Sequence, residues 1–168
     1  PNLVTITNDG WDLEDIKRFI ALQPRIEISD EGRKLVNESR RVIDEIVDSD
    51  RVVYGVNTGF GKFSDILIER SETAELQKRL VLSHAAGVGK AIDPEIVRLM
   101  MVLKIKNLSR GYSGIRMKTL NLLTDLLNMG IIPVIPSKGS VGASGDLAPL
   151  AHLSLPLIGK GEIFIKDI

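Results

Sequence analysis

The sequence predicts a mainly α-helical fold, with four or five helices, a few short extended pieces and several glycine-rich loops. Three observations carry this reading. Apolar residues recur at helical spacing through most of the chain. Capping and stop residues bracket those stretches, and residues with strand preference cluster only around 51–54 and 161–165. The 168 residues, 43% hydrophobic and 26% charged, have the composition of an ordinary folded protein. At that size folding buries roughly 70% of the unfolded chain's surface, so a core forms without disulfides or metal. No repeat, low-complexity tract or linker divides the sequence, and residues 1–168 are read as one domain.

Asp12 stands before Leu13, Ile16, Phe19 and Ile20, a spacing that puts four apolar side chains on one face of a short helix with an acidic first turn; Gln23-Pro24 ends it. Ser29 caps a second helix to about Asp48, with Leu35, Val36, Val42, Ile43, Ile46 and Val47 as its apolar stripe. From Arg51 to Gly61 the character changes, and a β-prone run passes into a glycine-rich loop carrying Tyr54, Asn57 and Phe60. Helical spacing returns from about Ser71 to Ala86 through Leu76, Leu80, Val81 and His84, which places His84 near a helix C-terminus. Asp93-Pro94 pairs an N-cap with proline at the first helical position and starts a helix through about Arg110. The next runs from about Ile115 to Met129, with Leu120, Leu123 and Leu127 inward and Gly130 as its stop. Beyond Pro133 and Pro136 lies a loop of small residues, Gly139 to Gly145. Asp146 to Ile158 is then helical provided Pro149 falls in the first turn, and Gly161 to Ile165 reads as a terminal strand.

Several function classes are excluded or disfavoured. There is no cysteine, so disulfides, thiolate metal sites and a cysteine nucleophile are out. The 22 basic and 22 acidic residues cancel, and nothing global draws the chain to nucleic acid or an anionic membrane. Locally, residues 1–50 hold 12 acids against 7 bases, and residues 51–168 hold 10 against 15. The acid-free run Arg98, Lys104, Lys106, Arg110, Arg116 and Lys118 alternates with apolar helix faces, which fits a solvated or intersubunit surface better than a phosphate track. No nucleic-acid partner is expected. No apolar run approaches the ~18 residues of a membrane span, so no membrane association and a cytoplasmic location are expected. Gly59-Phe-Gly61-Lys62, Gly87-Val-Gly89-Lys90 and Gly139 to Gly145 fit neither the phosphate-binding P-loop nor the dinucleotide fingerprint. With only two histidines, His84 and His152, and no acidic partner at zincin spacing, neither metal nor nucleotide cofactor is expected. His152 reads as a structural histidine with its hydrogen bonds satisfied.

The informative stretch is Gly139-Ser-Val-Gly-Ala-Ser-Gly-Asp146-Leu-Ala-Pro-Leu. By composition it is only a loop and a cap. Taken with Tyr54-Gly-Val-Asn-Thr-Gly-Phe-Gly61, Leu82-Ser-His-Ala-Ala-Gly87 and Ser109-Arg-Gly-Tyr-Ser-Gly-Ile-Arg116, in that order along the chain, it resembles the aromatic amino acid lyases, and their histidine-type members most closely. The resemblance covers nearly the whole chain and is weakest over the first fifty residues. It implies that Ala143-Ser144-Gly145 cyclises into a methylidene-imidazolone ring. The Gly145 nitrogen attacks the Ala143 carbonyl, and two waters are lost as Ser144 becomes a dehydroalanine. Small side chains, and glycine at the attacking position, allow that close approach at least steric cost. Gly142 and Asp146 are implied to support the ring-forming loop, Asp146 from the first turn of the following helix.

The resemblance further implies that Tyr54 is the catalytic base that removes the β-proton. A phenol has an unperturbed pKa of about 10, so the base needs nearby positive charge or hydrogen-bond donors to act near neutral pH. Ser83 and His84 match the pair that faces the substrate side chain. A polar pair there points to an imidazole, and so to elimination of ammonia from L-histidine to give urocanate. The same ring also serves tyrosine and phenylalanine ammonia-lyases and aminomutases, which are the nearest alternatives; a non-catalytic fragment or subunit is the other. Family chains continue into a long helical bundle that completes sites shared among the subunits of a homotetramer. The chain by itself is therefore expected to be inactive, as a fragment or as one subunit of a split enzyme whose partner chain supplies the bundle.

Overall fold

The computed structural model describes residues 2–49, 51–58, 70–139 and 145–166, with side chains left out at 70–73. Helices appear where the capping signals put them. Helix α1 (Leu13–Leu22) opens on a reciprocal capping box, with Asp12 accepting from the Asp15 N–H and Asp15 accepting from the Asp12 N–H. Helix α2 (Asp30–Val47) opens on Ser29, whose hydroxyl accepts from the Gly32 N–H at 3.1 Å. Helix α3 spans Arg70–His84, so His84 closes its last turn. Helix α4 (Pro94–Leu108) starts on the Asp93 cap with proline in its first turn, and α5 covers Met117–Asn128. Helix α6 (Leu147–Ser154) takes Pro149 in its first turn, as expected, then tightens into a single 3-10 turn, Leu155–Ile158.

The strands are where the structure departs most from the sequence reading. Six form among the described residues: β1 (Leu3–Ile6), β2 (Arg25–Ile28), β3 (Val88–Ala91), β4 (Ile131–Pro133), β5 (Pro136–Lys138) and β6 (Ile163–Ile165). They make three two-stranded ladders, β1 parallel to β2 with α1 as the crossover, β3 antiparallel to β5, and β4 antiparallel to β6. Only β6 answers a strand read from sequence. Conversely, Arg51 to Val53 forms no strand, because the Asn57 side chain takes up the groups a ladder would use. Its Oδ1 accepts from the Val53 N–H at 2.8 Å and its Nδ2 donates to the Arg51 carbonyl at 2.7 Å.

The core lies between α4 and α5, where Val97, Met101, Val102, Ile105, Leu120, Leu123 and Leu127 are buried together with Ile132, Ile135 and Leu153. Ile6, Ile26 and Ile28 of the β1–β2 ladder close one side of it. The Asn128 amide clasps β2 by donating to the Ile26 carbonyl and accepting from its N–H, each at 2.8 Å. On α1 only Phe19 is buried; Leu13 and Ile20 face outward, at 65% and 43% exposure. On α2, Val36 and Ile46 are buried while Val42 is exposed. Each of these helices touches the core along a seam narrower than its apolar stripe.

The basic run is also corrected. Arg98 is a buried cation, not a solvated one. Its guanidinium lies 4.6 Å from the centroid of the Phe19 ring and donates to the Pro24 carbonyl at 3.3 Å. Burial pushes its pKa down while Glu95 opposes the shift. Lys106 reaches the carbonyls of Thr7 and Asp9 beside the Trp11 ring. The Ser109–Arg116 motif clamps the α4–α5 turn onto α2: the Gly114 N–H donates to the Ser39 hydroxyl at 2.9 Å, and Arg40 donates to the Gly114 carbonyl at 3.2 Å.

Candidate active site

Tyr54 sits on a turn that its neighbours fix. The Val56 and Asn57 N–H groups both donate to the Val53 carbonyl, at 3.1 and 3.3 Å, and Gly55 follows Tyr54 with φ +78°. Asn57 and Thr58 are buried beneath this turn, while Tyr54 is 64% exposed. Its ring borders a cavity of about 500 Å³, a volume ordinary for a small-molecule site. The facing walls come from α3, through Leu80, Val81 and His84, and from α6, through Leu147, Leu150 and Ala151. Two residues far apart in sequence, Tyr54 and His84, thus share one cavity, and α6 enters it directly after Gly145-Asp146.

The polarity of His84 follows from its helix. Its Nδ1 lies 2.8 Å from the Leu80 carbonyl, which only accepts, so Nδ1 carries a proton. In the neutral ring Nε2 is then left as an acceptor. Ser83 behaves differently from the expectation for a substrate contact: its hydroxyl donates to the same Leu80 carbonyl at 2.9 Å, and it is not among the residues that line the cavity. Asp146 is the N-cap residue of α6, one position before the first turn expected for it, and its side chain makes no capping hydrogen bond. Gly145 has φ +80°, and among the described residues beyond its chain neighbours no atom lies within 4 Å of where a Cβ would stand. Gly142, Ala143 and Ser144 lie outside the described residues.

His152 is hydrogen-bonded within the fold. Its Nε2 accepts from the Gly87 N–H at 3.0 Å, and burial lowers its pKa. The apolar cavity walls escaped the sequence reading. The signal was present in the helix-face spacing of Leu147, Leu150, Ala151 and Ser154, but nothing in the sequence said that this face lines a cavity instead of joining the core. Among the described residues no cluster of three or more metal-ligating side chains occurs. No helix among them is long and apolar enough to cross a membrane.

Comparison with known proteins accords with this arrangement. The family model for aromatic amino acid lyases matches residues 11–167. A histidine ammonia-lyase of Alkaliphilus oremlandii is 49% identical over 159 residues, which is 95% of this chain and 31% of that protein. The crystal structure of histidine ammonia-lyase from Trypanosoma cruzi superposes with a TM-score of 0.87 at 35% identity, over 97% of this chain and 31% of the other. A phenylalanine aminomutase of Pantoea agglomerans gives a TM-score of 0.89 at 34% identity, over 99% of this chain and 32% of its own. The chain thus spans about a third of the length of these relatives. Four motifs in family order, a shared helical fold and a family model that covers the chain almost end to end have one consequence: the chain belongs to the aromatic amino acid lyase family.

Proposed function

We propose that this chain is the N-terminal portion of a histidine ammonia-lyase which, once the site is assembled, eliminates ammonia from L-histidine to give urocanate. One observation carries the reading: Tyr54 and His84 border the same cavity, and α6, which lines it from Leu147 on, begins two residues after Gly145. The relatedness to histidine ammonia-lyases supports it. Residues 1–168 form, in this reading, the catalytic-loop domain of the enzyme, and further subunits or a bundle-bearing segment complete a homotetrameric site in the cytoplasm.

The residues present fit a methylidene-imidazolone group. Gly145 holds a positive φ that side-chain-bearing residues rarely adopt, and among the described residues beyond its chain neighbours no atom fills the space beside its Cα. Gly145 would supply the ring nitrogen, Ala143 the carbonyl carbon and Ser144 the carbon that becomes the methylene. When formed, the group supplies an electrophile that turns the substrate's α-amino group into a leaving group.

The chain's own side chains do the rest. Tyr54, through its phenolic oxygen, takes the proton from the substrate β-carbon, and its position on a tight turn with a buried foot of Asn57 and Thr58 fixes where that oxygen reaches. His84 recognises the side chain by accepting the imidazole N–H at Nε2, an interaction that a plain phenyl ring cannot satisfy. Leu80, Val81, Leu147 and Leu150 keep water from the reacting carbon.

A specific observation favours a second reading as well. An acceptor at Nε2 also suits a phenolic O–H, so a tyrosine-type lyase or aminomutase would use the same His84 geometry. The test is turnover by the assembled enzyme of L-histidine, L-tyrosine and L-phenylalanine side by side. Urocanate formation with L-histidine preferred is the expected result; conversion of tyrosine with histidine inert would overturn the preferred substrate.

A further inference from the structure

The loop that carries Ala143-Ser144-Gly145 is held where it leaves the fold and where it returns. On the upstream side, Lys138 of β5 pairs with Val88 of β3. Gly139 follows, so close to Gly87 that a Cβ on Gly139 would stand 2.8 Å from the Gly87 Cα and 3.1 Å from the Ala148 Cβ. Ala148 lies in the first turn of α6, three residues beyond Gly145. The two ends of the loop therefore touch. Gly87 is held in turn from α6, since its N–H donates to the His152 Nε2 at 3.0 Å and a Cβ on Gly87 would meet the same nitrogen at 3.0 Å. Gly139, Gly87 and His152 form one stack that joins the end of β5 to α6.

Ring closure depends on such restraint. The Gly145 nitrogen bonds to the Ala143 carbonyl carbon. The carbonyl oxygen departs as water with the protons of the Gly145 and Ser144 amides, and the Ser144 hydroxyl departs as a second water with the Ser144 α-hydrogen. No oxidant or reductant enters. The attack is intramolecular, so its rate follows how often the loop brings nitrogen to carbon, and pinned loop ends raise that frequency. Backbone compression of this kind persists only where the surroundings over-determine it.

We propose that His152 is a positioning residue for this ring closure: by accepting from the Gly87 N–H it fixes the backbone against which Gly139 packs, and so keeps the two ends of the 139–145 loop together. The proposal rests on the reading of Ala143-Ser144-Gly145 as ring-forming. It requires Nε2 to stay unprotonated, and the burial that lowers the His152 pKa acts in that direction.

The test compares native protein, His152→Leu, His152→Gln and Gly139→Ala in the assembled enzyme. Two quantities are read: the fraction of the peptide spanning Gly139 to Leu150 that lacks two waters, followed in time after synthesis, and the melting temperature. In His152→Leu ring formation is expected to slow by about fivefold or more, as for a lost hydrogen bond that leaves its donor unsatisfied. In His152→Gln the side-chain carbonyl accepts in place of Nε2 and restores most of the rate. A merely structural His152 would lower the melting temperature without this separation of Leu from Gln. Native ring content in His152→Leu, or equal loss in both variants, overturns the proposal. Should His152→Leu fail to fold, Gly139→Ala decides, because its Cβ drives the same loop ends apart: slowed ring formation at native melting supports the proposal, and full ring content overturns it. Absence of the two-water deficit in the native enzyme defeats the ring itself and this proposal with it, a failure distinct from one confined to the variants.

Discussion

Helices α4 and α5 meet along Met101, Ile105, Leu120 and Leu127, none of which reaches solvent, whereas around the cavity bordered by Tyr54, His84 and α6 the polar side chains of Asn57, His84 and His152 are held by bonds to backbone. The first region draws its stability from apolar area removed from water, which is non-directional and tolerant of detail. In the second, single hydrogen bonds set direction: Asn57 shapes the Tyr54 turn, the Leu80 carbonyl selects the His84 tautomer, and His152 holds Gly87. On the proposed function stability and chemistry are separable, and substitutions in the two regions are expected to have different consequences.

The sharpest separation is expected for Tyr54→Phe. Removing one hydroxyl from a largely exposed side chain leaves the core untouched, so in the assembled enzyme kcat falls by about 10²–10⁴-fold, the usual worth of a positioned base, while melting shifts little. Parallel loss of stability and rate would return Tyr54 to a structural role. The opposite pattern is expected for Met101→Ala, which empties a fully buried position and destabilises folding by about 2–5 kcal/mol. The enzyme that remains folded should keep its native preference between substrates; a changed preference would break the division between the regions. A smaller effect belongs to His84→Leu, where the ratio of kcat/KM for histidine over phenylalanine is expected to fall about tenfold or more. An unchanged ratio would remove His84 from the side-chain pocket.

The smallest is a pH effect at His152. Burial lowers its folded-state pKa below the roughly 6.5 of the unfolded chain, so below that pH the unfolded state binds more protons. The stability contributed by the neutral ring is complete above about pH 6.5 and is lost as pH falls through the depressed folded value. Acidification below pH ~6.5 should therefore lower the melting temperature more in the native protein than in His152→Gln; identical pH profiles would contradict this.

The same contrast explains what was legible in the sequence. Helices α1, α2 and α4 declared themselves through Asp12, Ser29 and Asp93-Pro94, because caps and helical periodicity are local signals. The ladders β1–β2 and β3–β5 did not, because strands of three or four residues carry little periodicity and owe their pairing to partners 22 residues away in the first ladder and 45 to 50 in the second. Tyr54, His84 and the Ala143-Ser144-Gly145 motif stood out through family resemblance, not through composition or spacing. That Tyr54 and His84 border one cavity depends on how α3 packs against α6, which no local signal announces. The burial of Arg98 was hidden for the same reason: nothing local announces that Phe19 and the Pro24 carbonyl will enclose a guanidinium.

The proposed function stands or falls on whether Ala143-Ser144-Gly145 becomes the electrophile. Peptide mapping by mass across Gly139 to Leu150 in the assembled enzyme tests it most directly. A deficit of two waters localised to Ala143-Ser144-Gly145, abolished together with turnover in Ser144→Ala, is the predicted result. An unmodified tripeptide in an enzyme that still releases ammonia from L-histidine would contradict it.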